Sequence, residues 1–198
     1  MKIFTEKEAE DFLEKEQFNV IERIYIEKEN ELKDAIKKIS FPLVMKISGQ
    51  EIIHKNKLGG VVKNIKDYTA VLNVFNKFKK IEHVQGIIIQ KQIKGKEFLL
   101  GVKKTLEFGH VIAFGAGGIH TEKLKDVAFR VYPFNKKETK KMIREVNSSK
   151  DLDEKSLRIV EKNILKLCRL TKKYPRIKEL DINPLIQGRI VDARIVWL

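Results

Sequence analysis

The sequence contains a single cysteine, Cys168, among 198 residues, so no disulfide framework can form within it. Cys168 shares the apolar stripe of a predicted helix with four other residues, Leu157, Val160, Ile164 and Leu167. We therefore expect it to be a packed core residue and not a catalytic thiol.

Long apolar runs are also missing, and none of those present approaches the length of a membrane span. The first six residues, MKIFTE, carry no apolar signal segment. These absences favour a cytoplasmic protein that does not bind a membrane. With 42% hydrophobic residues, the chain can bury a full core, and we expect one domain made of two lobes.

The formal net charge of +14 raises the question of a nucleic-acid partner. However, the sequence has no basic stripe with interleaved aromatic residues and no zinc-ligand spacing, and its lysines alternate with glutamates on predicted helices. A nucleic-acid partner is therefore not expected. The positive potential suits small anionic ligands such as nucleotides.

Helical and strand patterns alternate along the chain, which predicts a mixed α/β (α+β) fold. Thr5 and Glu8 form a capping box that starts the first helix. Three segments separated by glycines, 86–92, 97–103 and 110–114, predict an antiparallel meander. Two helices, at about 135–146 and 153–171, precede a terminal hairpin. The expected lobes are 1–85 and 86–198.

The terminal hairpin carries the most informative pattern. If Gln187 and Gly188 form its two-residue loop, Asn183 lies opposite Asp192 and Asp181 lies opposite Arg194. Carboxylate and amide oxygens side by side suit Mg2+, which also takes water and phosphate ligands. The alternative is an exposed hairpin whose polar face is only solvated.

Lys46 interrupts an apolar strand, where a buried lysine is costly unless it meets an anion such as phosphate. Alternatively, it points to solvent from an edge strand. In the loop that follows, paired glycines let backbone N–H groups approach a phosphate, and His54 could carry a phosphoryl group or be a plain loop residue. The cluster at 114–119 lacks the spacing of the Rossmann or P-loop fingerprints.

Three motifs in this order resemble a known family. They are the run 41–62, the run 95–133, which contains FGHVIAFGAGGIHTEKLKDVAFRVYP, and ELDINPL followed by VDARI. Together they are similar to the ATP-grasp (beta) subunit of ADP-forming (NDP-forming) acyl-CoA synthetases, which is related to the succinyl-CoA synthetase beta subunit. The resemblance implies a two-lobed ATP-grasp fold with nucleotide held between the lobes. It also implies conversion of acyl-CoA, ADP and phosphate into acid, CoA and ATP through phosphohistidine.

The resemblance also assigns roles to individual residues. The nucleotide contacts that it implies are Lys46, Gly59, Gly60, Gln90, Glu97, Gly117, Gly118 and Glu122. It makes Asn183 and Asp192 the Mg2+ ligands and His54 the phosphate relay. Asp126 and Arg130 fall in a D-V-x-F-R segment, and we expect a catalytic role for Arg130.

The chain departs from the family pattern at Asn56, Lys57, Thr105 and His120, and a short loop around Ser148 replaces a Gly-Tyr-Arg-Gly segment. The family places the CoA-binding domain on an alpha subunit, which we expect as partner. Two other readings stay open: an ATP-grasp carboxylate ligase that uses an acyl phosphate, and a noncatalytic ATP-grasp or RNA-binding module.

Overall fold

The computed structural model describes residues 1–52, 55, 57–118 and 125–198. They form two compact units, one of Met1–Val20 with Gly95–Leu198 and one of Ile21–Lys94. None of the helices in these described ranges is long and apolar enough to cross a membrane.

Helices and strands alternate as the sequence predicts. In the described ranges the helices are α1 (Glu6–Lys15), α2 (Leu32–Lys38), α3 (Tyr68–Phe78), α4 (Lys136–Glu145) and α5 (Glu154–Lys173). The strands are β1 (Lys2–Ile3), β2 (Arg23–Ile26), β3 (Leu43–Ser48), β4 (Val61–Ile65), β5 (Gly86–Lys91), β6 (Glu97–Thr105), β7 (Gly109–Ala116), β8 (Val127–Val131), β9 (Ile177–Ile186), β10 (Arg189–Ile190) and β11 (Ala193–Trp197).

The larger unit is an antiparallel sheet covered on one face by helices. Its strand order is β1-β11-β9-β6-β7-β8, with β10 beside β9. Alternate side chains of these strands, such as Leu100, Ile112 and Leu180, pack with residues of α1, α4 and α5 in one apolar core. The intervening residues, among them Gly101 and Asp181, lie on the opposite face of the sheet.

The first helix belongs to this unit because its apolar stripe packs against β11. The predicted capping box is present: Glu8 N donates to the Thr5 hydroxyl at 3.2 Å, and Thr5 N donates to the Glu8 carboxylate at 2.8 Å. Ala9 and Leu13, one turn apart, are fully buried. The cap and the apolar spacing therefore fix where α1 starts and which face it buries.

The smaller unit has the strand order β2-β5-β3-β4. Met45, Ile47, Ile87 and Ile89 share one face of this sheet and pack with residues of α2 and α3. The other face carries the alternate residues, which include Lys46.

Two expectations about organisation differ from the structure. The meander prediction is wrong for its first segment, because β5 pairs with β2 and β3 in the smaller unit while β6 pairs with β7 and β9 in the larger one. The unit boundaries also differ from a division near residue 85, since the first 20 residues pack with the C-terminal part. Both differences come from pairing between segments far apart in the sequence.

Candidate functional site

The terminal hairpin has the predicted register. Gln187 and Gly188 form its turn with φ values of 52° and 76°, as a two-residue hairpin loop of the primed type requires. Asp181 is the register partner of Arg194, and Asn183 N donates to the Asp192 carbonyl at 3.1 Å. The prediction that Asn183 lies beside Asp192 is therefore confirmed.

A glycine turn at the end of β7 contacts this hairpin. Gly117 N donates to the Glu97 carbonyl at 2.8 Å, and Gly118 N donates to Asn183 Oδ1 at 2.8 Å. Gly118 has φ 84°, and a Cβ atom there would lie 2.0 Å from Glu97 Oε2. Only glycine fits this position without displacing Glu97, so the turn, Glu97 and Asn183 form one packed group.

Negative charge is concentrated next to this group. Partial burial, together with the negative charges of Asp192 and Glu179, raises the pKa of Asp181 to about 6, and the positive charge of Arg194 opposes the rise. Asp181 is thus a carboxyl that gains from protonation or from a nearby cation. Its half-buried position is the feature that the sequence reasoning missed, although it shares a strand face with Asn183.

The oxygen atoms of Asn183 and Asp192 fit Mg2+ by their chemistry. Mg2+ accepts one or two protein oxygens and completes its octahedron with water and phosphate. No cluster of three or more His, Cys, Asp or Glu side chains able to hold a metal occurs in the described ranges. The Asn183 amide and the Asp192 carboxylate, beside the half-buried acid Asp181, are therefore a donor set for a hard cation and not for zinc.

In the smaller unit, Lys46 is buried, with 4% of its surface exposed. Its strand β3 lies between β5 and β4, so the alternative of a solvent-facing lysine on an edge strand is wrong. Gln90 is buried too, and it lies diagonally across from Lys46 on the same face of the sheet. Both side chains are buried on one face of this sheet, and their roles as nucleotide contacts stay predictions.

The paired glycines Gly59 and Gly60 lie next to β3. Gly60 accepts a hydrogen bond from Ile47 N at 2.9 Å, and a Cβ on Gly60 would lie 2.2 Å from the Ile47 side chain. Gly59 has φ 63°. The close approach and the positive φ explain why glycine occupies both positions, without assigning them a phosphate.

Arg130 lies on the helix side of the larger sheet, away from the face that carries Asp181 and Asn183. Its register partner is the core residue Ile112, and its guanidinium forms a two-pronged pair with Glu145 of α4, at 3.0 Å on one side. This pair lowers the pKa of Glu145. The structure thus gives Arg130 a packing contact with α4, and its catalytic role stays a prediction.

Two predicted site residues, His54 and Glu122, lie outside the described residues. Cys168 is buried, and burial raises the pKa of its thiol to about 11, which agrees with a packing role. The larger unit therefore brings together Glu97, Gly117, Gly118, Asn183 and Asp192, while the smaller unit holds Lys46, Gly59, Gly60 and Gln90.

A family model described as an ATP-grasp domain matches residues 1–196. The chain belongs to the ATP-grasp family. Both the mixed α/β fold and the predicted family resemblance are thereby confirmed.

Similar proteins are ADP-forming ligases. The chain is 37% identical to acetate–CoA ligase (ADP-forming) II of Archaeoglobus fulgidus over 98% of its own length and 30% of that protein. It is 36% identical to the beta subunit of acetate–CoA ligase (ADP-forming) I of Pyrococcus furiosus, over 80% of the chain and 76% of the subunit. The chain thus spans about a third of the longer relative and three quarters of the separate subunit.

A solved structure is also similar over the whole chain. It is the dinucleotide-forming acetyl-coenzyme A synthetase 1 of Candidatus Korarchaeum cryptofilum with coenzyme A and Ca-AMPCP, at TM-score 0.90 and 26% identity, covering 100% of this chain and 94% of that one. A second structure of that protein, at TM-score 0.83, holds coenzyme A and Mg-AMPPCP, and its phosphohistidine segment points towards the nucleotide-binding site.

The raised pKa of the half-buried Asp181 carboxyl predicts a pH-dependent stability. Its folded pKa of about 6 exceeds the ordinary 3.8, so the folded state binds the proton more tightly and loses stability as pH rises from about 4 to about 6. At about 1.36 kcal/mol per pKa unit, the loss above pH 6 is on the order of 3 kcal/mol. Asp181→Asn, measured in thermal melts with EDTA, should therefore be more stable than wild type at pH 8 and similar at pH 4.

The control is Asp151→Asn, since the Asp151 side chain is 83% exposed and pairs with Lys96 at the surface of the same unit. The stability of Asp151→Asn should equal that of wild type at pH 4 and at pH 8. A stability difference between Asp181→Asn and wild type that is the same at pH 4 and pH 8 would show that the Asp181 carboxyl is not perturbed in this way.

Proposed function

We propose that this chain is the nucleotide-binding part of an ADP-forming acyl-CoA synthetase. The reaction converts acyl-CoA, ADP and phosphate into a carboxylic acid, CoA and ATP. The observation that carries the proposal is the hairpin register, which sets Asn183 beside Asp192 with Gly118 N–H on the Asn183 amide. The family and its ligase relatives support the same reaction class.

The proposed work of the chain is positioning and charge neutralisation, as in other phosphoryl transfers. Asn183 and Asp192 would hold Mg2+, which neutralises phosphate charge when it is bound. Asp181 adds negative charge beside these ligands and so favours a cation there. The Gly118 N–H fixes the Asn183 amide oxygen, so this ligand does not have to be ordered when nucleotide and metal arrive.

For the nucleotide, we propose Lys46 as a phosphate contact and Gln90 and Glu97 as further contacts. Lys46 is a cation in the middle of a sheet with 4% exposure, and the phosphates of ATP and ADP are anions that complement its charge. The glycines Gly59, Gly60, Gly117 and Gly118 would let the backbone approach the phosphates. Glu122 is proposed as a nucleotide contact on the basis of its sequence motif alone.

The proposed partner is a CoA-binding alpha subunit. The Pyrococcus relative is named a beta subunit, and the chain matches about 30% of the longer Archaeoglobus ligase. We assign the CoA-dependent steps of the proposed reaction to this partner. The acyl group of the substrate is not specified by the residues of the hairpin.

We propose His54 as the residue that passes the phosphoryl group between the partner and the nucleotide. The family resemblance places a second phosphohistidine on the partner subunit. In the direction of ATP formation, an imidazole nitrogen of His54 would bond to phosphorus as the bond from phosphorus to that phosphohistidine breaks. The terminal phosphate oxygen of ADP then takes the group as the nitrogen–phosphorus bond of His54 breaks. Lys55 and Lys57, next to His54 in the sequence, carry charge that stabilises a phosphorylated imidazole.

Nucleotide binding should raise the melting temperature only when Mg2+ is present. At a hundredfold excess over its dissociation constant, MgADP stabilises the folded state by about 2.7 kcal/mol, or roughly 5 to 11 °C for a chain of this size. Asp192→Ala should lose most of the Mg2+-dependent part of the shift, because it removes a carboxylate ligand.

Asp151→Ala is the matched control, because it removes an exposed carboxylate from the same unit. It should keep the full shift. A wild-type melting curve that does not change with millimolar MgADP or MgATP would contradict the proposed function.

Loss of His54 should reduce the rate of transfer and leave affinity intact. An uncharged imidazole adds little to ground-state binding of ADP, whereas the transfer itself needs a nucleophile. His54→Ala should therefore keep the MgADP melting shift. It should abolish the transfer of radioactive phosphate from ATP to the partner subunit and the acid-labile, base-stable label on this chain.

The control is His83→Asn, since His83 is exposed at a φ of 63°, a conformation that asparagine tolerates. It should transfer phosphate at the wild-type rate. Wild-type transfer by His54→Ala, measured with the partner subunit, would rule out the relay role.

A further inference from the structure

Asp126, just before β8, holds the connection between α4 and α5. Its carboxylate accepts hydrogen bonds from Asn147 N at 2.7 Å, from Ser148 N at 2.7 Å and from the Ser148 hydroxyl at 2.6 Å. Burial alone would raise its pKa, but the bonds from Ser148 and Asn147 outweigh burial and lower it. The carboxylate is therefore ionised and fully engaged at neutral pH.

The backbone of Asp126 is attached to the end of β7. Ala116 N donates to the Asp126 carbonyl at 2.8 Å. This carbonyl approaches Gly115 so closely that a Cβ there would lie 2.4 Å from it. The position of Asp126 and the position of the last residues of β7 are thus fixed together.

The end of β7 leads directly to the proposed metal ligand. Ala116 is followed by Gly117, which donates to the Glu97 carbonyl, and by Gly118, which donates to Asn183 Oδ1. A path of hydrogen bonds, joined by the covalent backbone of Asp126 and of residues 116–118, therefore runs from Ser148 to the Asn183 amide. The hydrogen bonds on this path are 2.6 to 2.8 Å long.

We propose that Asp126, held by Ser148, is a positioning residue for Mg2+ binding at Asn183. It touches neither metal nor nucleotide. It fixes the end of β7, so that the Gly118 N–H orients the Asn183 oxygen in the same way before and after binding. The inference rests on the proposed function, because it assumes that Asn183 is a Mg2+ ligand.

If Asp126 had a purely structural role, its loss would lower stability without changing Mg2+ binding. Asp153 is a matched residue for which that result is expected. Asp153 caps α5 in the same unit and accepts a hydrogen bond from Ser156 N at 2.7 Å. Hydrogen bonds from Ser156 likewise lower its pKa. The contacts of Asp153 lead into α5 and not to β7. Its loss should therefore weaken folding without touching the Asn183 amide.

The test compares Asp126→Asn, Ser148→Ala and Asp153→Asn in the full chain. At fixed ADP, Mg2+ is titrated and the melting temperature is recorded, which gives a Mg2+ midpoint and a metal-free stability for each variant. An asparagine amide turns an N–H towards the N–H donors of Asn147 and Ser148, so Asp126→Asn should loosen the turn. We expect Asp126→Asn and Ser148→Ala to raise the Mg2+ midpoint roughly three- to tenfold. Asp153→Asn should lower only the metal-free stability.

An unchanged Mg2+ midpoint in both Asp126→Asn and Ser148→Ala, with a wild-type shift present, would overturn the inference and leave the proposed function standing. An equal rise in Asp153→Asn would also overturn it, because loss of stability alone would then explain the effect. If the melting temperature of the wild type does not change with Mg2+ and ADP, both the inference and the proposed function are contradicted. If Asp126→Asn does not fold, Ser148→Ala decides, since it removes one hydroxyl and keeps the carboxylate.

Discussion

The antiparallel pairing of β9 with β11 is the constraint on which the candidate site depends. Because side chains alternate along a strand, one register alone places Asn183 beside Asp192 while Leu180 and Ile182 face the core. A slip by one residue would exchange the two faces of the strand. The apolar core therefore fixes the register, and the register fixes the oxygen donors.

The same pairing concentrates negative charge that the metal-free chain has to tolerate. Asp181 is half-buried next to Asp192 and Glu179, and the positive charge of Arg194 opposes theirs. The apolar residues on the other face of the sheet stabilise the fold when no metal is bound. Sites that bind a cation commonly carry such local strain, because the charges that attract the ligand repel one another in its absence.

Local signals in the sequence predicted much of this arrangement. The capping box at Thr5, the hairpin loop at Gln187 and the pairing of Asn183 with Asp192 follow from spacing within about fifteen residues, and the structure has all three. Long-range pairing could not be read in the same way. Nothing near β5 shows that its partners are β2 and β3, so the meander prediction was wrong for its first segment.

The sequence also did not predict which side chains are buried or which side chains of different elements contact each other. The sequence allowed two interpretations of Lys46, a phosphate contact or a solvent-facing residue on an edge strand. The position of β3 between β5 and β4 excluded the second. The pairing of Arg130 with Glu145, and of Asp126 with Ser148, joins residues 15 and 22 positions apart on different elements. Such contacts depend on how helices pack on the sheet, which spacing along one element does not show.

The central claim is that a divalent cation and ADP meet the hairpin at Asn183 and Asp192. Its most direct test replaces Mg2+ by paramagnetic Mn2+ with ADP and records the broadening of assigned backbone amide signals by NMR. The account predicts the strongest broadening at Gly118, Asn183 and Asp192, with α4 and α5 unaffected on their outer faces. Broadening centred on any other part of the chain, or none that depends on ADP, would contradict it.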